Sequence, residues 1–532
     1  MNLNIHTDTN INIEMIKIPN LPNQLTRKEI HSRLNKLSIS YKTTYLKKIL
    51  WELYENTLIA LKPVFNYNFT GKEYSKPYHS QKINPILWQV GHFILFYLNN
   101  VIRLLSYKDV IYKNKEYIIK IISNFNEIIN EEEDGITYYD YFDSSITSLP
   151  NRIKLLNKFN PRILRDTYSY TIQLLNIYLD NQPLNLNYVD SYLFMLGILH
   201  NDMHYEAILF TQHFLNYPKP DNFILPKVVI NSPNLNKKKI GFTNKSSIIE
   251  DLNIEMIDIE GGDFLQGSMD VNMENNYFKF DNEKPLFNQT VNSFSISKYP
   301  ITEGQYLTFI ENGGYKKREN WTFEGWNWIK EYDINSPLGW ECYEIIDSEN
   351  SNFQFQFIVK KRRWFKRHWG SKILLSGKSK LPIVNISWYE AQAFCKWANF
   401  RLPYEKEWEY LATNKGQSNY PWGNENPNIS HSNIDYLNGG VLPVDYYDEI
   451  DKYPVKQLIG NVWEWCEEVI YPYDGFTIDP VYREMSYPFF GQKRICRGGS
   501  WACSNYLITK SYRNAQPPDC RIQWIGFRVC KK

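Results

Sequence analysis

Four segments in the first part of the chain repeat apolar residues at intervals of three and four. They are the runs at positions 27–61, 84–105, 162–181 and 191–215. This spacing places the apolar side chains of each run on one helical face, and four long helices are enough for an antiparallel bundle. We therefore predict an all-α four-helix domain over residues 26–216, preceded by a disordered lead-in. The acidic, aromatic run at 131–145 is expected to form a long loop between the second and third helices.

The pattern changes after residue 216. Residues 217–252 combine Pro, Asn and a Lys run without a helical period, which favours a linker between domains. From 253 to 532 the chain has short strand-like runs, many Gly turns and dense Trp and Tyr, with clear helical patterns at 302–313 and 387–400. These features predict an α+β C-terminal domain.

Charge and composition narrow the classes of function. The chain has 60 Lys and Arg against 58 Asp and Glu, so it lacks the basic surplus that is typical of nucleic-acid proteins. It contains no apolar run of about 18 residues and does not open with a basic segment and an apolar core, so we expect neither a membrane span nor a secretion signal. Its 7 cysteines include no CxxC pair, which favours reduced thiols and a cytoplasmic location.

One histidine pair lies inside the fourth helical run. His200 and His204 are separated by about 400° of helical rotation, so both rings lie on one face. Two imidazoles on adjacent turns can bind one divalent metal. Asn201 replaces the glutamate that the same spacing carries in zinc proteases, so a metal site is expected and a metalloprotease is not. Two partly exposed polar side chains are the alternative interpretation.

The C-terminal half contains a series of motifs in an informative order. They are GGDFLQGS, YPITEGQYLTFI, WYEAQAFCKWANFRLPYEKEWEYLA, PWGN, GNVWEW, RGGSW and GFRVC. Together they resemble the formylglycine-generating enzymes, whose fold is related to the C-type lectins. Those enzymes need two cysteines five residues apart after the RGGS motif, and here Cys503 fills the first position but Ile508 the second. That activity is therefore not expected.

Two inserts narrow the resemblance, FIENGGYKKRENWTFEGWNWIK and YPYDGFTIDPVYREMSYPFFGQKRICRGGSW. They are similar to those of the nonheme-iron sulfoxide synthases of ergothioneine and ovothiol biosynthesis, in which a DinB-like four-helix domain precedes this catalytic domain. The resemblance implies that Fe(2+) is bound by three histidines, namely His92 of the LWQVGH motif, His200 and His204. Asp202 and Glu206 lie about 200° from the histidines on the helix, so a carboxylate ligand is not favoured.

The same resemblance implies an iron(II)- and O2-dependent sulfoxide synthase. With O2 as co-substrate, such enzymes join the imidazole of a hercynine-like histidine derivative to a small thiol, cysteine or γ-glutamylcysteine, and oxidise the sulfur. The proton source is expected to be Tyr482, in the segment that follows a GNVWEW helix, and one more buried aromatic is the alternative interpretation. Both substrates are small molecules, and we expect no nucleic-acid or membrane partner.

Several positions of the substrate shell depart from the family pattern. Met485 stands where a second Tyr is frequent. Ala515, Gln516 and Cys520 replace an aromatic residue, a carboxylate and an arginine. These departures leave the identity of the thiol and of the imidazole open. The residues that we expect to contact substrate are Met203, Arg152, Asn514, Gln516 and Arg521.

Three alternative functions use the same scaffold. An ovothiol-type 5-histidylcysteine sulfoxide synthase and a thiol dioxygenase keep the iron and change the reaction, whereas a non-catalytic binding protein keeps the fold alone. The ovothiol enzymes usually carry a methyltransferase domain, and none follows the GFRVC motif, which favours the ergothioneine-like branch. A structural Ca(2+) held by Glu464 of the GNVWEW motif is a separate expectation.

Overall fold

The computed structural model of the protein describes residues 40–65, 83–221, 223, 252–269, 278–347, 359–449 and 452–532. The lead-in before residue 26 and most of the linker at 217–252 lie outside these residues. The domain boundaries at 26–216 and 253–532 therefore stay predictions. Within the described ranges, no helix is both long and apolar enough to cross a membrane.

The described residues before 217 are largely helical, as the periodicity of this part predicts, and residues 27–39 of the first expected helix lie outside them. The four expected helices are α1, α2, α8 and α9, and each of α8 and α9 packs against both α1 and α2. A fifth helix, α4, also packs against α8, and the identity of this unit as a DinB-like four-helix bundle stays a prediction. The helices in chain order are α1 (Thr43–Phe65), α2 (Ile86–Phe96, continued by turns at Tyr97–Val101 and Ile102–Leu104), α3 (Lys108–Lys113), α4 (Lys115–Ile128), α5 (Glu131–Asp134), α6 (Tyr138–Phe142), α7 (Leu149–Lys154), α8 (Pro161–Asp180) and α9 (Tyr188–Phe214).

The acidic, aromatic run at 131–145 is not the long loop that we expected from its composition. It contains the short helices α5 and α6, and the Thr137 side chain caps α6 by accepting a hydrogen bond from the N–H of Asp140. Tyr141 and Phe142 are fully buried. Because these aromatic side chains remove a large apolar area from water, they hold the segment against the neighbouring helices.

Helix α9 is the central element of the molecule. Its first turn is capped by Asn187, whose side chain accepts a hydrogen bond from the N–H of Asp190, and most of its residues are buried. A helix that is buried on all faces lies inside a protein rather than on its surface. Gly197 allows α2 to approach α9, because a Cβ at this position would lie 2.7 Å from the ring of Tyr97. This close approach occurs one helical turn before His200.

The described residues after 252 form small sheets and four helices, which agrees with the predicted α+β class. The sheets have the orders β1-β4-β13-β8, β11-β10-β9-β12, β2-β3 and β5-β6-β7. Strand β12 runs parallel to β9, and the other pairs are antiparallel. The helices are α10 (Glu303–Glu311), α11 (Phe323–Glu331), α12 (Trp388–Trp397) and α13 (Glu405–Ala412). The strands are β1 (Met256–Ile259), β2 (Gly262–Gln266), β3 (Phe287–Val291), β4 (Phe294–Ser297), β5 (Trp340–Asp347), β6 (Val359–His368), β7 (Ser371–Leu374), β8 (Phe400–Arg401), β9 (Trp463–Val469), β10 (Arg494–Arg497), β11 (Asn514–Gln516), β12 (Ile525–Gly526) and β13 (Cys530–Lys531).

The GNVWEW motif leads into a strand, so the expected helix is wrong. Its last three residues begin β9, which pairs with β10 on one side and with β12 on the other. The alternation of Trp463, Glu464 and Trp465 has a period of two residues, which favours a strand. Both tryptophans are buried, as the aromatic content of this domain predicts.

Glu464 does not offer its carboxylate to a cation. Its two oxygens accept hydrogen bonds of 2.6 Å from Nε and Nη2 of Arg528, and Oε2 also accepts one of 3.0 Å from Nε1 of Trp408. All three side chains are buried. Since the guanidinium already neutralises and orients the carboxylate, the predicted Ca(2+) at Glu464 is wrong.

Candidate metal centre

The three histidines expected to bind metal meet between two helices. His92 lies on α2, and His200 and His204 lie one turn apart on α9. One nitrogen from each ring can be chosen so that all three lie within 4.8 Å of one another. The ring centroids are 5.1 Å apart for His92 and His200, 4.8 Å for His92 and His204, and 4.7 Å for His200 and His204. The packing of α2 against α9 therefore brings distant positions of the sequence to one point.

Neighbouring groups fix the orientation of two of these rings. Nδ1 of His92 donates a hydrogen bond of 2.7 Å to the carbonyl oxygen of Phe142 in α6. Nδ1 of His204 lies 3.3 Å from Oε1 of Gln89, one turn before His92 on α2. A donor at Nδ1 leaves the lone pair at Nε2 free, which is the arrangement that outer partners impose on metal-binding histidines.

His200 is held by stacking rather than by a hydrogen bond. Its ring lies parallel to Phe96 with 3.8 Å between centroids. Both of its nitrogens are buried, and among the described residues neither has a hydrogen-bond partner. A buried polar atom without a partner is energetically costly. Coordination to a metal ion, which accepts the imidazole lone pair, would remove this cost.

The electrostatics of the site favour neutral rings. Burial lowers the pKa of His92 to about 4, against smaller opposing effects of the Phe142 carbonyl and Asp143. Burial also lowers the pKa of His200 and of His204; His204 and His92 lower that of His200 further, and His92 and Arg152 lower that of His204 further. Neutral imidazoles have the lone pairs that a divalent transition metal needs, so the residues present fit such an ion.

The two carboxylates of the same helix serve a different purpose. Asp202 accepts a hydrogen bond of 2.6 Å from Oγ of Ser504. Oε1 of Glu206 accepts hydrogen bonds of 2.6 Å from Ser500 and 2.9 Å from Nε1 of Trp463. These contacts join α9 to the C-terminal half of the chain, and they agree with the helical geometry that turned both carboxylates away from the histidines.

Tyr482 reaches the histidine cluster from the C-terminal half. Its ring meets His200 edge to face with 5.3 Å between centroids, and it meets Phe96 at 5.1 Å. Burial raises the pKa of the phenol, and Glu484 and Asp281 raise it further. The phenol is therefore protonated at neutral pH. The expected acid and the expected metal ligands thus share one site.

Met203, one of the expected substrate contacts, lies on α9 next to His204. The hydroxyl of Tyr512 donates a hydrogen bond of 3.3 Å to Sδ of Met203. Two residues later, β11 carries Asn514 and Gln516, which are half-buried. Oδ1 of Asn514 accepts a hydrogen bond of 3.4 Å from Nε2 of Gln516.

Arg152 lies beside the cluster. Its guanidinium stacks 4.0 Å from the ring of Trp88, which in turn stacks on His92 at 5.0 Å. Its Nη1 and Nη2 donate hydrogen bonds of 2.7 Å to the Asn84 side chain and to the Ser144 carbonyl, which are uncharged acceptors. Burial is the main cause of the lowered pKa of His92, and the charge of Arg152 adds a smaller lowering effect. A cation is therefore present where an anionic substrate group could be recognised.

Arg521 does not fit the expected role. It is buried in a bidentate ion pair with Glu390, with both nitrogen–oxygen distances at 3.0 Å, and it also donates to the carbonyl of Ser336. A guanidinium that neutralises a buried carboxylate is not available to a substrate carboxylate, because removing it would leave Glu390 charged and unpaired. The structure therefore argues against Arg521 as a substrate contact.

Four residues that orient the histidines were missed in the sequence. Trp88 and Gln89 precede His92 in the LWQVGH motif, and the spacing of three residues that places Gln89 on the ligand face was a usable signal. Phe96 and Phe142 carry no such signal, because their roles depend on how the helices pack.

Comparison with known proteins supports the fold of the C-terminal half. Residues 246–532 match the family model of the sulfatase-modifying factor enzyme 1-like domain. The hercynine oxygenase of Mycobacterium tuberculosis is 29% identical over 255 residues, which are 47% of this chain and 55% of that protein. The inactive C-alpha-formylglycine-generating enzyme 2 of Mus musculus is 30% identical over 292 residues, which are 51% of this chain and 84% of that protein.

These similarities cover only part of the chain and part of each relative. The chain spans about half the length of the hercynine oxygenases that it matches. Among solved structures, PvdO from Pseudomonas aeruginosa has a TM-score of 0.33 and 19% identity, and the match covers 52% of this chain and 94% of that one. The three histidines precede the residues that match the family model. The metal centre therefore rests on the geometry of the helices.

Proposed function

This chain belongs to the sulfatase-modifying factor enzyme 1-like domain family, and on that premise we propose that it is an iron(II)- and O2-dependent sulfoxide synthase. It forms a C–S bond between the imidazole of a hercynine-like histidine derivative and a small thiol, cysteine or γ-glutamylcysteine. The observation that carries the proposal is the meeting of three neutral histidines, of which His200 is fully buried, with a protonated tyrosine from the family domain. The name of the M. tuberculosis relative supports the oxidation of a histidine betaine.

His92, His200 and His204 would hold the iron. When bound, the iron supplies the redox chemistry with O2 that joins carbon to sulfur. The protein keeps the three imidazoles neutral by burial and holds two of them through Phe142 and Gln89. These contacts set the direction of the ligand atoms before any metal arrives, which reduces the cost of binding.

Tyr482 supplies the acid of the reaction. Its pKa is raised by burial, so the phenol carries its proton at neutral pH and can donate it at the reacting centre beside His200. Arg152 and the amides of Asn514 and Gln516 are the groups that we assign to substrate orientation. Arg152 provides a positive charge that attracts a carboxylate, and the amides provide neutral hydrogen bonds.

The decisive experiment loads the purified protein with Fe(II) without oxygen and then adds O2, trimethylhistidine and one thiol, cysteine or γ-glutamylcysteine. Mass analysis is expected to find the sulfoxide conjugate of the imidazole and the thiol. His204→Ala is expected to lose both bound iron and product, whereas His431→Ala, whose ring stacks on Trp422, is expected to keep both.

Other outcomes separate the alternatives. Oxygen uptake with an oxidised thiol and no conjugate would identify a thiol dioxygenase at the same histidines. A conjugate at the other ring carbon, distinguished by NMR, would identify the ovothiol-type reaction. If the wild-type protein takes up no iron, or if His92→Ala takes up as much as the wild type, the three-histidine site is refuted.

A further inference from the structure

We propose that Asp479 and Tyr192 form a clamp that positions Tyr482 against the histidine cluster. The role of Tyr482 as the acid rests on the proposed function, whereas the clamp itself rests on hydrogen bonds between two parts of the chain. Tyr192 and Asp479 are therefore positioning residues, and they act through Tyr482.

One oxygen of Asp479 fixes the backbone that carries Tyr482. Oδ1 accepts hydrogen bonds of 2.8 Å from the N–H of Val481 and 2.8 Å from the N–H of Tyr482. An aspartate that caps the two amides following it in this way holds a turn in one conformation. Tyr482 then leads directly into the turn at Arg483–Met485. By holding this backbone, Asp479 limits the directions in which the Tyr482 side chain can point.

The other oxygen of Asp479 ties the same turn to α9. Oδ2 accepts a short hydrogen bond from the hydroxyl of Tyr192, which is 4% exposed. Burial and the nearby Asp479 raise the pKa of Tyr192, so its phenol remains the donor. Tyr192 lies about two helical turns, or roughly 12 Å, before His200 on the same helix. Since α9 also carries His204, one carboxylate sets the position of the acid relative to two metal ligands.

Asp281 holds both ends of the loop that carries Tyr482, residues 479–486. Its Oδ2 accepts hydrogen bonds of 2.9 Å from the N–H of Asp479 and 2.8 Å from Oγ of Ser486, on either side of Tyr482. The loop from 479 to 486 is therefore fixed at its two ends and, through Tyr192, to the metal-bearing helix. A loop held in this way can keep an acid within the narrow distance that proton transfer needs.

A double-mutant cycle tests whether Tyr192 acts through Tyr482. Tyr192→Phe is expected to lower kcat roughly 10- to 100-fold while KM and the affinity for iron stay unchanged. In the Tyr482→Phe background, the same substitution is expected to have no further effect on kcat, because the group that it positions is absent. An equal loss in both backgrounds would show that Tyr192 contributes only to stability.

Tyr178→Phe is the matched control. Tyr178 donates a buried hydrogen bond of 2.7 Å to Asp190, also on α9, so it repeats the phenol–carboxylate pairing away from the Tyr482 loop. This variant is expected to lose a similar amount of stability and to leave kcat unchanged. A comparable loss of kcat in Tyr178→Phe would contradict the clamp.

Hydrogen exchange in the metal-free protein tests the clamp without any activity. Residues 479–489 are expected to exchange about tenfold faster in Tyr192→Phe and in Asp479→Ala, but not in Tyr178→Phe. In Asp479→Asn the remaining oxygen caps the two amides and the new amide nitrogen can donate to the Tyr192 hydroxyl oxygen, so its exchange is expected to stay close to that of the wild type. Unchanged exchange in both disruptive variants refutes the clamp. If the wild type makes no conjugate, the proposed function fails while this measurement still decides the clamp.

Discussion

At the scale of single residues, the three histidines differ in the contact that orients each ring. Phe142 fixes His92 through a carbonyl, Gln89 fixes His204 through an amide, and His200 relies on its stack with Phe96. Gln89 is itself anchored, since its Nε2 donates a hydrogen bond of 3.0 Å to the Asn84 carbonyl. If these histidines bind metal as proposed, we expect the affinity to depend on groups that would not touch the ion.

Gln89→Leu tests this dependence. It removes the oxygen that faces Nδ1 of His204, so the affinity for Fe(II) is expected to fall about 10- to 100-fold. The dissociation constant can be measured by competition with a chelator. Gln212→Leu, which removes a buried glutamine that donates to the carbonyl of Ala60, is the matched control and is expected to bind iron normally. Equal affinities in the two variants would contradict the orienting role of Gln89.

At the scale of elements, α9 belongs to both halves of the molecule. One side carries His200 and His204, and the other carries Asp202 and Glu206, which accept hydrogen bonds from the family domain. Because the two sets alternate along one rigid helix, a shift of the C-terminal half relative to α9 would also move Tyr482 relative to the metal ligands.

Glu206 provides a test of this shared helix. Glu206→Ala leaves the Trp463 N–H and the Ser500 hydroxyl buried without their acceptor, so the free energy of unfolding is expected to fall by about 2–4 kcal/mol. Glu206→Gln keeps one acceptor oxygen and is expected to lose about 1 kcal/mol. Urea unfolding of the two variants measures the difference. Equal losses would show that the hydrogen bonds do not contribute to docking.

At the scale of the whole molecule, the candidate metal ligands and the family domain lie in different parts of the chain. All three histidines precede residue 246, where the match to the family begins, whereas Tyr482 lies within it. The site is complete when the helical part and the α+β part meet. Metal binding to the helical part is therefore expected to stabilise the C-terminal part as well.

Unfolding with and without metal tests this coupling. At a free Fe(II) concentration about 100 times Kd, the free energy of unfolding is expected to rise by about 2.7 kcal/mol. Tryptophan fluorescence reports the response of the C-terminal part, because Trp51 and Trp88 are the residues of this type before position 253 among the 16 in the chain. His92→Ala is expected to lose the shift. A fluorescence transition that ignores the metal would show that the two parts unfold independently.

The sequence by itself determined the features that depend on local periodicity. The 3.6-residue period gave the long helices, including the face shared by His200 and His204, and the motif order gave the family of the C-terminal half. Local pattern was misread at GNVWEW, where the two-residue alternation of Trp463 and Trp465 outweighs helical propensity once β10 and β12 pair with it. The short helices inside the 131–145 run depend on apolar surface that other helices supply.

Only the tertiary structure decided which side chains meet. Arg521 and Glu464 were expected at functional sites, but each pairs in the interior with a residue far along the chain, Glu390 at a separation of 131 positions and Arg528 at 64. The joining of His92 to the α9 pair, and of Tyr482 to His200, likewise depends on packing between distant segments. A helical period fixes the angle between neighbours in one helix, whereas contacts between helices depend on side-chain shapes that single positions do not reveal.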